Sequence, residues 1–236
     1  MAGTDSSDWG LLYRAGAISA FAVVIMIPIQ IAFYLVWPPV LEVEAMFAVF
    51  AECWFLGLES LDVLLLMDTV FNMLAFLALG VALWRTGKSL VLIALVLMVA
   101  GAAAYFSANT SFEIMDLAGQ YAAAGDAETR SGLLAAGRFA IASFQGTAFA
   151  VYYFLGGVET LLVSLAMLRS HLFSRFAGWL GVIAGVLMLV PPLPATGQLG
   201  IALSLLSLVP LIIWLALVGR RLWLLAAEPA AAGQAV

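Results

Sequence analysis

Apolar residues along this chain come in long runs that are separated by short polar links. A helix of about 20 apolar residues is needed to cross a bilayer. Six runs approach or exceed that length, at about Tyr13 to Trp37, Gly57 to Arg85, Ser89 to Ser107, Thr147 to Leu168, Phe176 to Val190 and Gln198 to Gly219. The pattern predicts an all-α fold: a polytopic membrane helix bundle of six transmembrane helices.

Two further segments between the runs mix acidic and aromatic residues. Val40 to Leu56 carries three glutamates among phenylalanines and a tryptophan. In Asn109 to Arg130, Glu113 and Asp116 fall on one side at helical spacing, and apolar residues fall on another. Both segments are typical of helices that lie in a membrane surface. We therefore expect two amphipathic helices on the outer face of the bundle.

Composition supports the membrane assignment and limits the number of domains. Hydrophobic residues make up 65% of the 236 residues and charged residues 10%, so a soluble domain could not keep its surface polar. The length accommodates about six helices of ~20 residues with short links. We expect one transmembrane domain over residues 13–223, a cytoplasmic N-terminal segment over 1–12 without a cleaved signal, and a disordered cytoplasmic tail over 224–236.

The charges divide between two sides of the predicted bundle. Basic residues fall at the ends and links that a six-span arrangement with the N-terminus inside places together: Arg14, Arg85, Lys88, Arg169, Arg175, Arg220 and Arg221. The opposite side collects ten acids against only Arg130 and Arg138. Because basic residues mark the cytoplasmic side, both termini are predicted to be cytoplasmic, and the acidic outer face should attract cations.

Polar residues inside the apolar runs are the candidates for a functional site. Glu159 lies about 15 Å along its helix from Arg169, near the middle of a bilayer. An ionisable group at that depth is costly and faces the bundle interior. The candidate residues for binding a cation, proton or small molecule are Glu159, Asp68, Asn72, Gln30, Tyr152 and Tyr105. In the alternative interpretation, a neutral Glu159 hydrogen-bonds to a neighbouring helix and only stabilises packing.

A stripe of small residues occurs in the fifth apolar run. Ala177, Gly181 and Gly185 are spaced four apart and therefore share one face of a helix. Small residues at this spacing allow a second helix to approach closely. The stripe predicts a tight helix contact, and it is also a candidate surface for oligomer formation.

Several kinds of chemistry lack the residues they need. With a lone His171, the chain lacks the residues for bis-histidine haem or a His-rich metal centre. The lone Lys88 is not placed for a retinal Schiff base buried in the middle of a helix, and the single Cys53 excludes a disulfide within the chain. The motifs of metalloproteases, serine hydrolases and phosphate-binding loops are missing. An acidic chain with scattered basic anchors also argues against nucleic-acid binding. The sequence therefore indicates no cofactor, no metal and no catalytic residue.

The second half of the chain contains several short motifs that resemble those of one protein family. The matching stretches are N-x-S-F-E-I-M-x-L-x-x-Q-Y-A-A-A from Asn109, L-L-A-A-G, Q-G-T-A-F from Gln145, M-L-R-S from Met167, F-S-R from Phe173, G-V-I-A-G-V-L-M-L-V-P-P and I-W-L-x-L-V-x-R-R-L-W. They resemble bacterial membrane proteins grouped as domain of unknown function 4386. The resemblance implies a common architecture and a bacterial cytoplasmic (inner) membrane location. It implies no activity.

Two hypotheses of function follow. The first is a small-molecule or cation binding or transport module, in which an acidic outer vestibule lies above a polar pocket between the first, second, fourth and sixth spans. The second is a non-catalytic accessory or structural membrane subunit whose acids merely solvate the outer helices. An intramembrane enzyme ranks third because the catalytic motifs are missing.

Overall fold

A computed structural model describes residues 9–192 and 196–228, and these residues form ten α-helices and no strand. The helices are α1 (Gly10–Val36), α2 (Val43–Glu52), α3 (Trp54–Glu59), α4 (Val63–Leu83), α5 (Lys88–Ala108), α6 (Ser111–Ala123), α7 (Ala127–Phe144), α8 (Thr147–Leu168), α9 (Arg175–Leu187) and α10 (Gly197–Ala227). The all-α prediction is confirmed. Helix α10 extends into the segment predicted as a disordered tail, whose last residues, 229–236, lie outside the described part, as do residues 1–8.

Five helical stretches are long and apolar enough to cross a membrane: Gly10–Val36, Val63–Leu83, Lys88–Ala123, Ala127–Leu168 and Gly197–Ala227. The chain is therefore a multi-pass helical membrane protein. Helix α9 is apolar but has only 13 residues, so its axis rises about 20 Å against a hydrocarbon core of about 30 Å. The sixth span stays a prediction.

The chain divides into two compact units. Unit 1 contains residues 1–27, 68–100 and 153–236, and unit 2 contains residues 28–67 and 101–152. Each unit is built from segments that are distant in the sequence, so each depends on long-range contacts.

Unit 2 has a hydrophobic core of its own, in which α2, α3, α6 and α7 pack together. The buried residues of this core are Val43, Met46, Phe47, Phe50, Leu58, Leu61, Ile114, Ala118, Ala140, Ile141 and Phe144. The Phe47 and Tyr121 rings lie 5.3 Å apart, which ties α2 to α6. The two predicted amphipathic helices are present, but their apolar faces cover each other. Hydrophobic periodicity alone does not show whether such a face meets lipid or protein.

The first of these segments is also divided into two helices. Cys53 has an extended backbone, with φ −152° and ψ 100°, so α2 ends there and α3 begins at the next residue. The prediction of one interfacial helix over Val40 to Leu56 is wrong in this respect. The break allows α3 to turn and place Leu58 in the core of unit 2.

Two acids of the predicted acidic face cap helices in unit 2. The Glu42 carboxylate accepts a hydrogen bond from the Ala45 N–H at 2.8 Å, and Asp126 accepts one from the Thr129 N–H at 2.8 Å. These bonds lower the pKa of both carboxyls, and the charge of Arg138 adds to the effect at Glu42. Part of the acidic character thus has a local structural explanation.

Unit 1 is held by close packing of small residues. A Cβ atom built on Gly181 would collide with the Ser164 hydroxyl and would lie 2.6 Å from Nε1 of Trp214. One built on Gly185 would lie 2.9 Å from the Gly157 carbonyl oxygen, and Ala177 is 2% exposed. The predicted tight contact along this stripe is confirmed, and it occurs within the chain, against α8 and α10. The stripe is therefore not a free surface for oligomer formation.

We predict that Gly181→Ala destabilises the protein, because the added methyl must displace Ser164 and Trp214. Overpacking of this kind costs ~1–3 kcal/mol. The matched control is Gly119→Ala on α6, where a Cβ meets no atom within 4 Å and helix propensity favours alanine by up to ~1 kcal/mol. Thermal unfolding in detergent should show a lower Tm for the first variant and an equal or higher Tm for the second. Equal Tm values for both variants would contradict a tight contact of Gly181 with Ser164 and Trp214.

Candidate functional site at the break between α3 and α4

The predicted span from Gly57 to Arg85 is not one continuous helix. Helix α3 ends at Glu59 and α4 begins at Val63. Between them, Asp62 has a φ of 56°, in the left-handed region that residues other than glycine seldom adopt. The apolar composition of the run hides this break. Two acids, Glu59 and Asp62, flank it.

Three side chains, one each from α5, from α6 and from the turn between them, form hydrogen bonds to the break. The Tyr105 hydroxyl donates to the Asp62 carbonyl oxygen at 3.1 Å, and Nδ2 of Asn109 donates to the Leu61 carbonyl oxygen at 3.0 Å. The Ser111 hydroxyl lies 3.1 Å from the same Leu61 oxygen. The Asp62 carbonyl oxygen also accepts from the Leu65 N–H at 3.0 Å. The donors from more than 40 residues away therefore add tertiary hydrogen bonds to the backbone of the break.

The same residues define the turn from α5 into α6. Oδ1 of Asn109 accepts from the Ser111 N–H at 3.2 Å and lies 2.6 Å from the Ser111 hydroxyl. Thr110 donates to the Ala140 carbonyl oxygen at 3.0 Å, which ties the turn to α7. The break and the turn therefore stabilise each other.

A small cavity lies beside the break. It is lined by Gln30, Phe33, Tyr34, Glu59, Asp62 and Leu64. Its volume of about 10 Å³ is the room of about one water molecule. Glu59 is 8% exposed, and among the described residues its Oε1 has no hydrogen-bond partner, nor has Nε2 of Gln30. The cavity thus combines two carboxyl groups with a buried amide donor.

Burial dominates the electrostatics of this cavity. Desolvation raises the pKa of Asp62 to about 7 and also raises the pKa of Glu59. None of the six lining residues is basic. Near neutral pH, protons can therefore bind to and leave Asp62. The site can hold a water molecule, a proton or a small dehydrated cation, and it is too small for an organic substrate.

Three of the predicted site residues belong to this region of unit 2. Gln30 lines the cavity, and Tyr105 is fully buried and bonded to the break. The Tyr152 ring stacks on Tyr105, with a centroid separation of 4.6 Å. Tyr105 and Tyr152 thus support the break and do not line the cavity.

The other three predicted residues belong to unit 1. Asp68 and Asn72 lie one turn apart on α4, and each has a buried Oδ1 with no donor within the described ranges. Glu159 is 7% exposed on α8, on a buried face with Thr160 and Ser164. It faces the protein interior, as expected. The cavity at the break is not lined by any of these three residues.

Sequence reasoning did not single out Glu59 and Asp62 as site residues. Both were counted with the acids of the outer face. The stretch Gly57-Leu-Glu-Ser-Leu-Asp62 does contain a signal, because small and acidic residues directly before an apolar run are typical of a helix start. That signal would have placed the start of α4 after the acids.

Comparison with known proteins identifies no relative of this chain. No family model, no curated protein and no solved structure matches it. The resemblance to the domain of unknown function 4386 therefore stays a prediction. Within the described ranges, no group of three or more His, Cys, Asp or Glu residues is placed to hold a metal ion. Function must be inferred from the chemistry of the site.

We predict that Ser111→Ala destabilises the protein by about 1 kcal/mol, because a buried hydrogen bond to the break is lost. Ser107→Ala is the matched control. The Ser107 hydroxyl is exposed and, within the described part of the chain, bonds only to the Ala104 carbonyl of its own helix, at 2.9 Å. Its removal should change stability by less than about 0.5 kcal/mol. Chemical or thermal unfolding in detergent measures both. If Ser107→Ala lost as much stability as Ser111→Ala, the hydrogen bond from Ser111 to the break would have no special role in stability.

Proposed function

We propose that this membrane protein binds a proton or a small monovalent cation at the cavity beside the break. The observation that carries the proposal is the buried Glu59 carboxyl. Its Oε1 has no partner in the described part of the chain, and it lines a cavity with room for one water molecule, together with Asp62 and Gln30. A buried acceptor without a donor is costly, and a proton, a water molecule or a cation removes that cost.

Charge and size narrow the ligand class. With two acids and no base in the lining, the cavity disfavours anions. Its volume excludes nucleotides, sugars and other organic molecules. A pKa of about 7 at Asp62 means that proton and cation compete for the same carboxyl near neutral pH. Binding should therefore depend on pH.

The position of the site supports a wider hypothesis of transport. Ion-coupled transporters place their ion sites at interrupted helices, because the interruption presents polar groups inside an apolar segment. In this chain the interruption lies between Glu59 and Val63, at the start of a candidate span. We propose that the acidic side is the outer side and forms a vestibule. Both termini then lie in the cytoplasm, and the membrane is the bacterial cytoplasmic membrane, as the distribution of basic residues and the family resemblance suggest.

A structural role is the alternative, and one observation favours it. Burial raises the pKa of Glu59, so a neutral carboxyl can serve as a packing group. The three donors at the break then only stabilise the bend. In that case the protein is a non-catalytic membrane subunit, and ions do not affect it.

We predict that Na⁺ or Li⁺ stabilises the protein at pH 8. We also predict that its Tm decreases as the pH is raised from about 4 to about 7. The sign follows from Asp62, because a folded-state pKa above the unfolded value means that the folded form binds more protons in this interval. A ligand that binds only the folded form at 100 times its Kd contributes ~2.7 kcal/mol. The measurement is Tm against pH and against salt, with choline chloride keeping the ionic strength constant.

Variants separate the two interpretations. Glu59→Gln should abolish the ion effect, and Asp62→Asn should flatten the pH dependence, while Glu52→Gln removes an exposed acid of α2 and should change neither. Loss of the ion effect in Glu159→Gln alone would move the site to unit 1. A wild-type Tm that responds to no ion and matches Glu59→Gln at every pH would establish the structural role.

A further inference from the structure

Positive charge collects on one surface of unit 1, where the link after α8 meets the end of α10. We define the basic patch as Arg169, His171, Arg175, Arg220 and Arg221. Nε of Arg221 donates to the Leu172 carbonyl oxygen at 2.8 Å. This bond places Arg221 of α10 against the link that carries Arg169 and Arg175, and Arg220 is its neighbour in the chain.

The link that carries the patch is a fixed structure. Phe173 is 8% exposed and anchors its centre. The Ser170 hydroxyl accepts from the Leu172 N–H at 3.0 Å, and the Ser174 hydroxyl caps α9 by accepting from the Ala177 N–H at 3.1 Å. With the centre of the link held down, the Arg169 and Arg175 side chains lie exposed on either side of it.

Three of the four arginines of the patch have no carboxylate partner within the described residues. There, the single ion pair joins Arg221 to Glu228 at 3.2 Å. Arg169, Arg175 and Arg220 are exposed and have no carboxylate within ion-pair distance in that part of the chain. Three guanidinium groups without a carboxylate partner give the surface a positive charge that attracts anions, and guanidinium is well suited to bind phosphate through paired hydrogen bonds.

Exposed apolar side chains flank the patch. Phe176 is 64% exposed and Trp179 is 57% exposed at the start of α9, and Trp223 is 50% exposed on α10, on the same side of the helix as Arg220. Tryptophan next to arginine is typical of the membrane interface, where the ring lies among lipid headgroups. A ligand for this surface should therefore be anionic at one end and apolar at the other.

We propose that the basic patch binds the headgroup of an anionic phospholipid, with its acyl chains against Phe176, Trp179 and Trp223. Inorganic phosphate would match the arginines but would leave the apolar flank without a partner. Zwitterionic phosphatidylcholine has acyl chains but no net negative charge. The combination of both features favours an anionic lipid such as phosphatidylglycerol. This inference does not depend on the cavity in unit 2.

The test is lipid titration of the purified full-length protein in neutral detergent, followed by native mass spectrometry. Phosphatidylglycerol adducts should persist at lower lipid concentration than phosphatidylcholine adducts.

Arg169→Gln with Arg175→Gln should weaken phosphatidylglycerol binding at least tenfold, because each surface arginine contributes roughly fivefold to attraction for an anionic lipid. The matched control, Arg130→Gln with Arg138→Gln on α7, removes the same charge elsewhere and should retain wild-type affinity. The comparison requires that each double variant keeps a Tm within about 2–3 °C of the wild type, a shift that corresponds to roughly 1 kcal/mol for a chain of this size. If a double variant falls outside this range, the corresponding single variants are compared in its place.

Three outcomes would overturn the proposal. Equal binding of the two lipids would show that the headgroup charge is not recognised. An equal loss of phosphatidylglycerol affinity in both double variants would show a general effect of net charge. Displacement of phosphatidylglycerol by an equal concentration of inorganic phosphate would assign the patch to a free anion.

Discussion

Hydrogen bonds from Tyr105, Asn109 and Ser111 to the backbone between α3 and α4 are the interaction on which the candidate site depends. In an apolar environment, an unpaired backbone carbonyl costs several kcal/mol, so a helix can be interrupted only where other groups take over its hydrogen bonds. Because these donors are present, the chain can bend at Asp62. The bend in turn brings Glu59 and Asp62 to one small cavity with Gln30.

Both units combine large buried side chains with close approach at glycines. In unit 2, Phe47 is 2% exposed, and a Cβ built on Gly137 would lie 2.8 Å from its ring. In unit 1, Trp214 is fully buried, and a Cβ built on Gly181 would lie 2.6 Å from its Nε1. Between helices in lipid there is little hydrophobic driving force, so close van der Waals contact at such positions must contribute to stability.

The apolar runs predicted helix positions well, because the period and length of a run determine whether a helix can exist there. Helix α8 has the predicted bounds, Thr147 to Leu168, and α5 differs from its prediction by one residue at each end. The prediction failed at α4, which begins six residues later than expected. The donors that stabilise the break are 43 to 50 positions away, as for Tyr105 and Ser111, and no local pattern encodes such a contact. The cavity joins Gln30 to Glu59, and that pairing too depends on the folded chain.

The interpretation of a buried polar group in a membrane protein depends on whether a hydrogen-bond donor contacts it. At the break, the Leu61 and Asp62 carbonyl oxygens accept hydrogen bonds from donors on other elements. The Glu59 carboxyl, three residues before Asp62, has an oxygen without a partner among the described residues. Had the chain needed only a bend, an apolar residue at position 59 would have avoided the desolvation cost of an acid. A carboxyl kept beside a cavity with room for one water molecule is therefore the feature from which we propose a binding site, because the bend alone does not require an acid at position 59.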